Sequence, residues 1–143
     1  MENNICKGLN ETAKVVYELN KEKGFWDKER NVGELLMLVV SELGEAMEAH
    51  RKGHFAKLEH FENNISKSRI INKDPNYEGD ITPERAYEAH FSTLMKDTFE
   101  DEIADSIIRL LDLSHGLNID IEKHINAKIE YNKSRPRLHG KKY

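Results

Sequence analysis

Between Val32 and Met47 the apolar residues Val32, Leu35, Leu36, Val39, Val40, Leu43, Ala46 and Met47 recur at the i, i+3, i+4, i+7 spacing of one helix face. Side chains on a strand alternate with period two, so a run of this kind commits the segment to a helix of about 20 residues. A second run, from about Phe99 to His115, is apolar over most of its circumference through Ile103, Ala104, Ile107, Ile108, Leu110, Leu111 and Leu113. A helix so nearly apolar all round belongs deep in a bundle. With only 3 prolines and 8 glycines in 143 residues, intrinsic propensity favours helix over sheet along the rest of the chain. The fold class expected is all-α: a bundle of about four to five helices in a single domain over residues 1–143.

The remaining helices are marked by their ends. Ala13, Val16 and Tyr17 give a first helix from about Asn10 to Lys23, stopped by Gly24. Asn31, with Glu34 three residues on, reads as the N-cap of the 32–51 helix. Thr82 followed by Pro83 and Glu84 starts a helix running to about Lys96, and Asp97 or Thr98 caps the next. Gly116 closes the 99–115 helix, and Asp120 caps a last one from Ile121 to about Lys133, before Pro136. Residues 53–81 carry Asn, Ser, Pro and Gly punctuation and read as an irregular insertion.

Charge and composition narrow the partners. A net charge of −4 with 34% charged residues gives no basic excess, so no stable nucleic-acid partner is expected. The longest apolar run, Leu35–Val40, is far short of the roughly 20 residues that span a bilayer. The lone cysteine, Cys6, has no partner within the chain for a disulfide, and a reducing cytoplasm is the expected setting.

Four carboxylates stand out from this frame. Residues three apart on a helix have Cβ atoms about 5–6 Å apart, so Glu42 with Glu45, and Glu102 with Asp105, each form a claw. Two carboxylates at ~5 Å repel by ~3 kcal/mol at an effective dielectric near 20, so four together need a multivalent cation. Magnesium, an all-oxygen cation that keeps several waters and bridges carboxylates to phosphates, suits the set, and manganese is a possible substitute. Either pair alone is commonly surface decoration. Glu102 and Asp105, however, interrupt an otherwise apolar helix, sharing a polar stripe of about 80° with Arg109 and Asp112. Arg109 and Asp112 either pair with each other or support the ligands.

The segments SELGE (41–45) and EIAD (102–105) resemble the Glu-Glu-x-x-Glu and Glu-x-x-Asp signature of the MazG-like all-α NTP pyrophosphohydrolases, relatives of dimeric dUTPases and dCTP pyrophosphatases. Ser41 stands where the family often has its first glutamate, and the gap between the two motifs is longer than usual. The resemblance implies Glu42, Glu45, Glu102 and Asp105 as Mg2+ ligands, with Glu42 and Glu45 also catalytic. It further implies a nucleoside triphosphate substrate, cleaved to the monophosphate and pyrophosphate in nucleotide-pool house-cleaning. Lys128, Asn132 and Arg135, spaced along one side of the last helix and just beyond it, suit phosphate oxygens and look like the family's phosphate-binding element.

Trp26 and Asn31 fall where the family contacts the base, though an indole is equally a core anchor and an asparagine before a helix equally a cap. In the basic tail, Lys141 and Lys142 read as a solvated terminus, while Arg137 and His139 are left open. None of the 7 histidines shows metal spacing, and the Glu-x-x-His pairs of a di-iron bundle are missing. A non-catalytic helical module binding a nucleotide or cation is the alternative function. Wide apolar faces on short helices point to a homodimer or homotetramer that completes the core.

Overall fold

The computed structural model of the protein describes residues 8–71, 79 and 81–136. Among them are six helices and no strand: α1 (Leu9–Glu22), α2 (Val32–Arg51), α3 (Leu58–Ile71), α4 (Pro83–Leu94), α5 (Phe99–Gly116) and α6 (Ile121–Lys133). The all-α expectation holds. None of these helices is long and apolar enough to cross a membrane. Cys6, Arg137, His139, Lys141 and Lys142 lie outside the described residues.

The chain divides into two compact units, one built from the stretches up to Leu38 and from Ile107 onward, the other from Val39–Ser106. In the first unit α1 packs against α6. The side chain of Asn10 ties their first turns together, donating from Nδ2 to Asp120 Oδ1 at 2.9 Å, while its backbone N–H donates to Glu122 Oε1 at 3.1 Å. Asp120 is also the α6 N-cap, accepting from the Lys123 N–H at 3.2 Å. The Asn10 and Lys123 hydrogen bonds stabilise its ionised form and hold this exposed carboxyl down at about 2. Gly24, at φ 81°, takes the left-handed conformation that turns the chain out of α1.

The indole of Trp26 then fills a niche in the same unit. Its Nε1 donates to Asp112 Oδ1 at 2.9 Å, and its ring lies 5.1 Å from that of Tyr17, which in turn lies 4.9 Å from the His115 ring. Gly116, the last residue of α5, lets the indole this close, since a Cβ there would sit 2.7 Å from Trp26 Cζ2 and closer still to Cη2. Any side chain at 116 must displace the indole.

In the second unit α3 packs on α4. The irregular backbone expected over 53–81 is corrected over Leu58–Ile71, which is helical, while residues 72–78 and 80 lie outside the described residues. Local propensity is poor through Asn63, Asn64, Ser66 and Ser68, but Phe61 and Ile65, four apart, are buried. Phe61 meets Tyr87 at 5.2 Å and Phe91 at 6.1 Å, so packing overrides propensity. Thr82 caps α4 as expected, accepting from the Arg85 N–H at 3.3 Å with Pro83 opening the helix.

Between α2 and α3 the connection is pinned to the end of α4 and the start of α5. The Phe99 N–H donates to His54 O at 3.0 Å, the Ala56 N–H to Glu100 Oε2 at 2.8 Å, and the Lys57 N–H to Leu94 O at 3.0 Å. Of the two candidate caps for α5, Thr98 serves, accepting from the Asp101 N–H at 3.4 Å and donating to Met95 O at 2.6 Å. Rings of His50, Phe55 and Phe99 pack edge to face around this corner at 5.2–6.1 Å. The C-terminal half of α2 and the N-terminal half of α5, which carry the acidic residues, are thereby held together.

Burial redraws the apolar face expected for α2. Leu35, Val39, Glu42, Ala46 and Ala49 are buried and fall within an arc of about 80° on a helical wheel. Val32, Leu36, Val40, Leu43 and Met47 form an adjacent arc of about the same width, and all five are exposed. The chain covers half of the stripe that the sequence presents as one core face. Likewise α5, expected deep in a bundle, buries Leu111 and Leu113 but exposes Ile107, Ile108 and Leu110.

Candidate metal centre

Glu42 lies in the covered arc of α2 and is 7% exposed; Glu102, three residues into α5 beyond Phe99, is 5% exposed. Their burial is unusual for carboxylates, which are almost never fully enclosed unless paired or coordinated. With Asp105 they form a set of three in which one carboxylate oxygen from each lies within 4.8 Å of the others. Asp105 is the member nearest solvent. All three belong to the Val39–Ser106 unit.

Holding acids this close disfavours the charged form of Glu102. Its carboxyl is pushed up from 4.5 to about 7, first by burial, then by a hydrogen bond with Glu42, and then by the charges of Glu45, Glu42 and Asp105. A carboxyl raised in this way keeps its proton well above the ordinary carboxylate range, and it is Glu102 that carries the shift.

Glu45 stands apart from the three. It is exposed and accepts a hydrogen bond from Ser41 Oγ at 3.4 Å, though its charge still acts on Glu102. On the α2 wheel it falls about 40° outside the covered arc, which is why the two α2 glutamates differ although the sequence presents them as equal partners. Ser41, standing where the resembled family often has a glutamate, spends its hydroxyl on Glu45.

One neighbour escaped the sequence reading. Ser106, directly after Asp105, is buried, and its Oγ has no hydrogen-bond partner. The available signal was a hydroxyl one turn after Glu102 in an apolar helix.

The donor set fits a hard divalent cation: oxygen only, three acids from two helices, one side toward solvent, with a buried orphan hydroxyl on the residue that follows Asp105. No histidine or cysteine belongs to the set, so softer metals are disfavoured.

The other sequence candidates lie in the first unit. Lys128 places its Nζ 5.0 Å from the centroid of the exposed Tyr131 ring, and Arg135 its guanidinium carbon 5.8 Å from the same centroid. Asn132 lies exposed between them in sequence, its carbonyl accepting from the Arg135 N–H at 3.2 Å. Asn31 caps α2, its Oδ1 accepting from the Glu34 N–H at 3.2 Å. Trp26 is engaged by Asp112, Tyr17 and Gly116, as above. Asp112, expected to pair with Arg109 or to support the ligands, accepts from this indole.

What fold and centre define together is an all-α protein with a buried, oxygen-only acidic cluster. No protein-family model, curated protein or solved structure matches the chain.

Proposed function

We propose that this chain is a magnesium-dependent nucleoside triphosphate pyrophosphohydrolase of the MazG-like kind, converting a nucleoside triphosphate and water to the monophosphate and pyrophosphate. The observation that carries the reading is the enclosure of Glu42 and Glu102 with Asp105, at the spacings of SELGE and EIAD. Glu42, Glu102 and Asp105 hold Mg2+ or Mn2+, which neutralises phosphate charge. Glu45, exposed beside the three, accepts a hydrogen bond from the attacking water and orients it. Lys128, Asn132 and Arg135, which belong to the other unit, are the residues that the resemblance assigns to phosphate oxygens, by charge and amide hydrogen bonds. In this reading Asn31 offers the base its amide nitrogen, its oxygen being taken by the helix cap. Trp26 offers only what its contacts with Asp112, Tyr17 and Gly116 leave open. A cytoplasmic location supplies both the nucleotides and the magnesium.

Incubation of the purified protein with canonical and modified nucleoside triphosphates and Mg2+ is expected to release pyrophosphate from at least one. Silence across the panel would refute the enzyme. Calorimetric nucleotide binding without turnover would select the regulatory module instead.

The same reading includes a homodimer or homotetramer assembled through the uncovered arc of α2, since exposed aliphatic stripes of this length are rare on monomers. Leu36→Lys is expected to halve the mass observed by sedimentation. A wild type that sediments as a monomer at micromolar concentration argues against assembly.

A further inference from the structure

Three side-chain hydroxyls are buried among the described residues: those of Thr98, Ser106 and Ser114. Thr98 donates to Met95 O and Ser114 to Leu110 O, each at 2.6 Å. Ser106, 4% exposed, has no partner. An acceptor is at hand, because a serine inside a helix can reach the carbonyl four residues back. Ser114 does so, and Thr93 and Thr12 do the same at 2.8 and 2.9 Å. For Ser106 that acceptor is the carbonyl of Glu102, and it is not used. An unsatisfied buried hydroxyl costs about 1–3 kcal/mol, so such a group calls for a specific explanation.

Its position supplies one. Ser106 follows Asp105 and lies one turn after Glu102, about 40° round the helix from it. Both residues are buried and both belong to the Val39–Ser106 unit. A group one turn from a ligand has its Cβ about 5–6 Å away. At that spacing the hydroxyl makes no hydrogen bond with the carboxylates, yet it is within reach of a water on a cation they hold, since magnesium keeps several waters at about 2.1 Å.

We propose that Ser106 is a positioning residue of the acidic centre, its hydroxyl hydrogen-bonded to a hydration water of the cation held by Glu42, Glu102 and Asp105. The inference rests on the cation reading above. Ser106 is unsatisfied when the centre is empty and satisfied when it is filled, so part of the binding free energy is the relief of this one hydroxyl.

The test is a calorimetric titration of Mn2+ alone into metal-free wild type, Ser106→Ala and Ser114→Ala, with thermal melts of each. Ser106→Ala is expected to weaken Mn2+ binding about tenfold, with a metal-free melting temperature at or above that of wild type. Ser106→Cys, similar in volume but a weaker donor, should fall between the two in affinity. Ser114→Ala should melt lower and bind Mn2+ like wild type. Equal Mn2+ affinity in Ser106→Ala and wild type overturns the inference. A wild type that binds no Mn2+ removes the cation reading and this inference with it, a result distinct from equal affinities.

Discussion

Glu102→Gln is expected to move stability and activity in opposite directions. Glutamine keeps the shape of Glu102 and can still hydrogen-bond Glu42, but it carries no charge into a site where burial and three neighbouring acids oppose one. The metal-free variant should melt about 3 °C above wild type at pH 8, the shift that roughly 1 kcal/mol gives a domain of this size. On the function proposed above, pyrophosphate release should fall by about two orders of magnitude or more, because one of the proposed carboxylate ligands is lost. A variant both less stable and fully active would show Glu102 to be a structural acid. Stabilisation with loss of activity is the pattern of a group kept for function at a cost to the fold.

The second large effect is on pH dependence. Glu102 has its carboxyl raised to about 7 from an ordinary 4.5. Between these values the folded chain binds more protons than the unfolded chain, so stability falls as pH rises. The contribution is fully present below about 4.5 and lost above about 7. Asp120, held at about 2, acts in the opposite sense but only in acid: its contribution is present above its ordinary 3.8 and lost as pH falls toward 2. Melting temperature measured from pH 4.5 to 8 should therefore decline more steeply in metal-free wild type than in Glu102→Gln, the difference isolating this carboxyl. Saturating Mg2+ should reverse the trend, since an ion competes with the proton for the same oxygens. Stabilisation by about 10 mM Mg2+ should be larger at pH 8 than at pH 6. Parallel wild-type and variant curves would contradict the raised carboxyl.

Helix ends were the most legible feature in the sequence. Asn31, Thr82 and Asp120 cap the helices they were expected to cap, because a short polar side chain beside a free N–H acts within one turn of chain. Helix α3 was not legible: its stabilising contacts come from Tyr87 and Phe91, more than 20 residues away, and its own asparagines and serines argue against it. Within the centre, the pairing of Glu102 with Asp105 follows from two acids interrupting an apolar helix. Periodicity could not tell which half of the α2 stripe is covered, and that choice decides that Glu42 is buried and Glu45 exposed. Ser106 was invisible for a similar reason: an unmet hydrogen bond is a property of surroundings, not of spacing.

The central claim is that Glu42, Glu102 and Asp105 form a divalent cation site that is protonated when empty. Titrating Mn2+ into the metal-free protein at pH 6.5, in two buffers of different ionisation enthalpy, tests it most directly. The expected result is saturable binding with release of a fraction of a proton approaching one, abolished in Glu102→Gln. Absence of binding, or binding that releases no proton and survives Glu102→Gln, would contradict it.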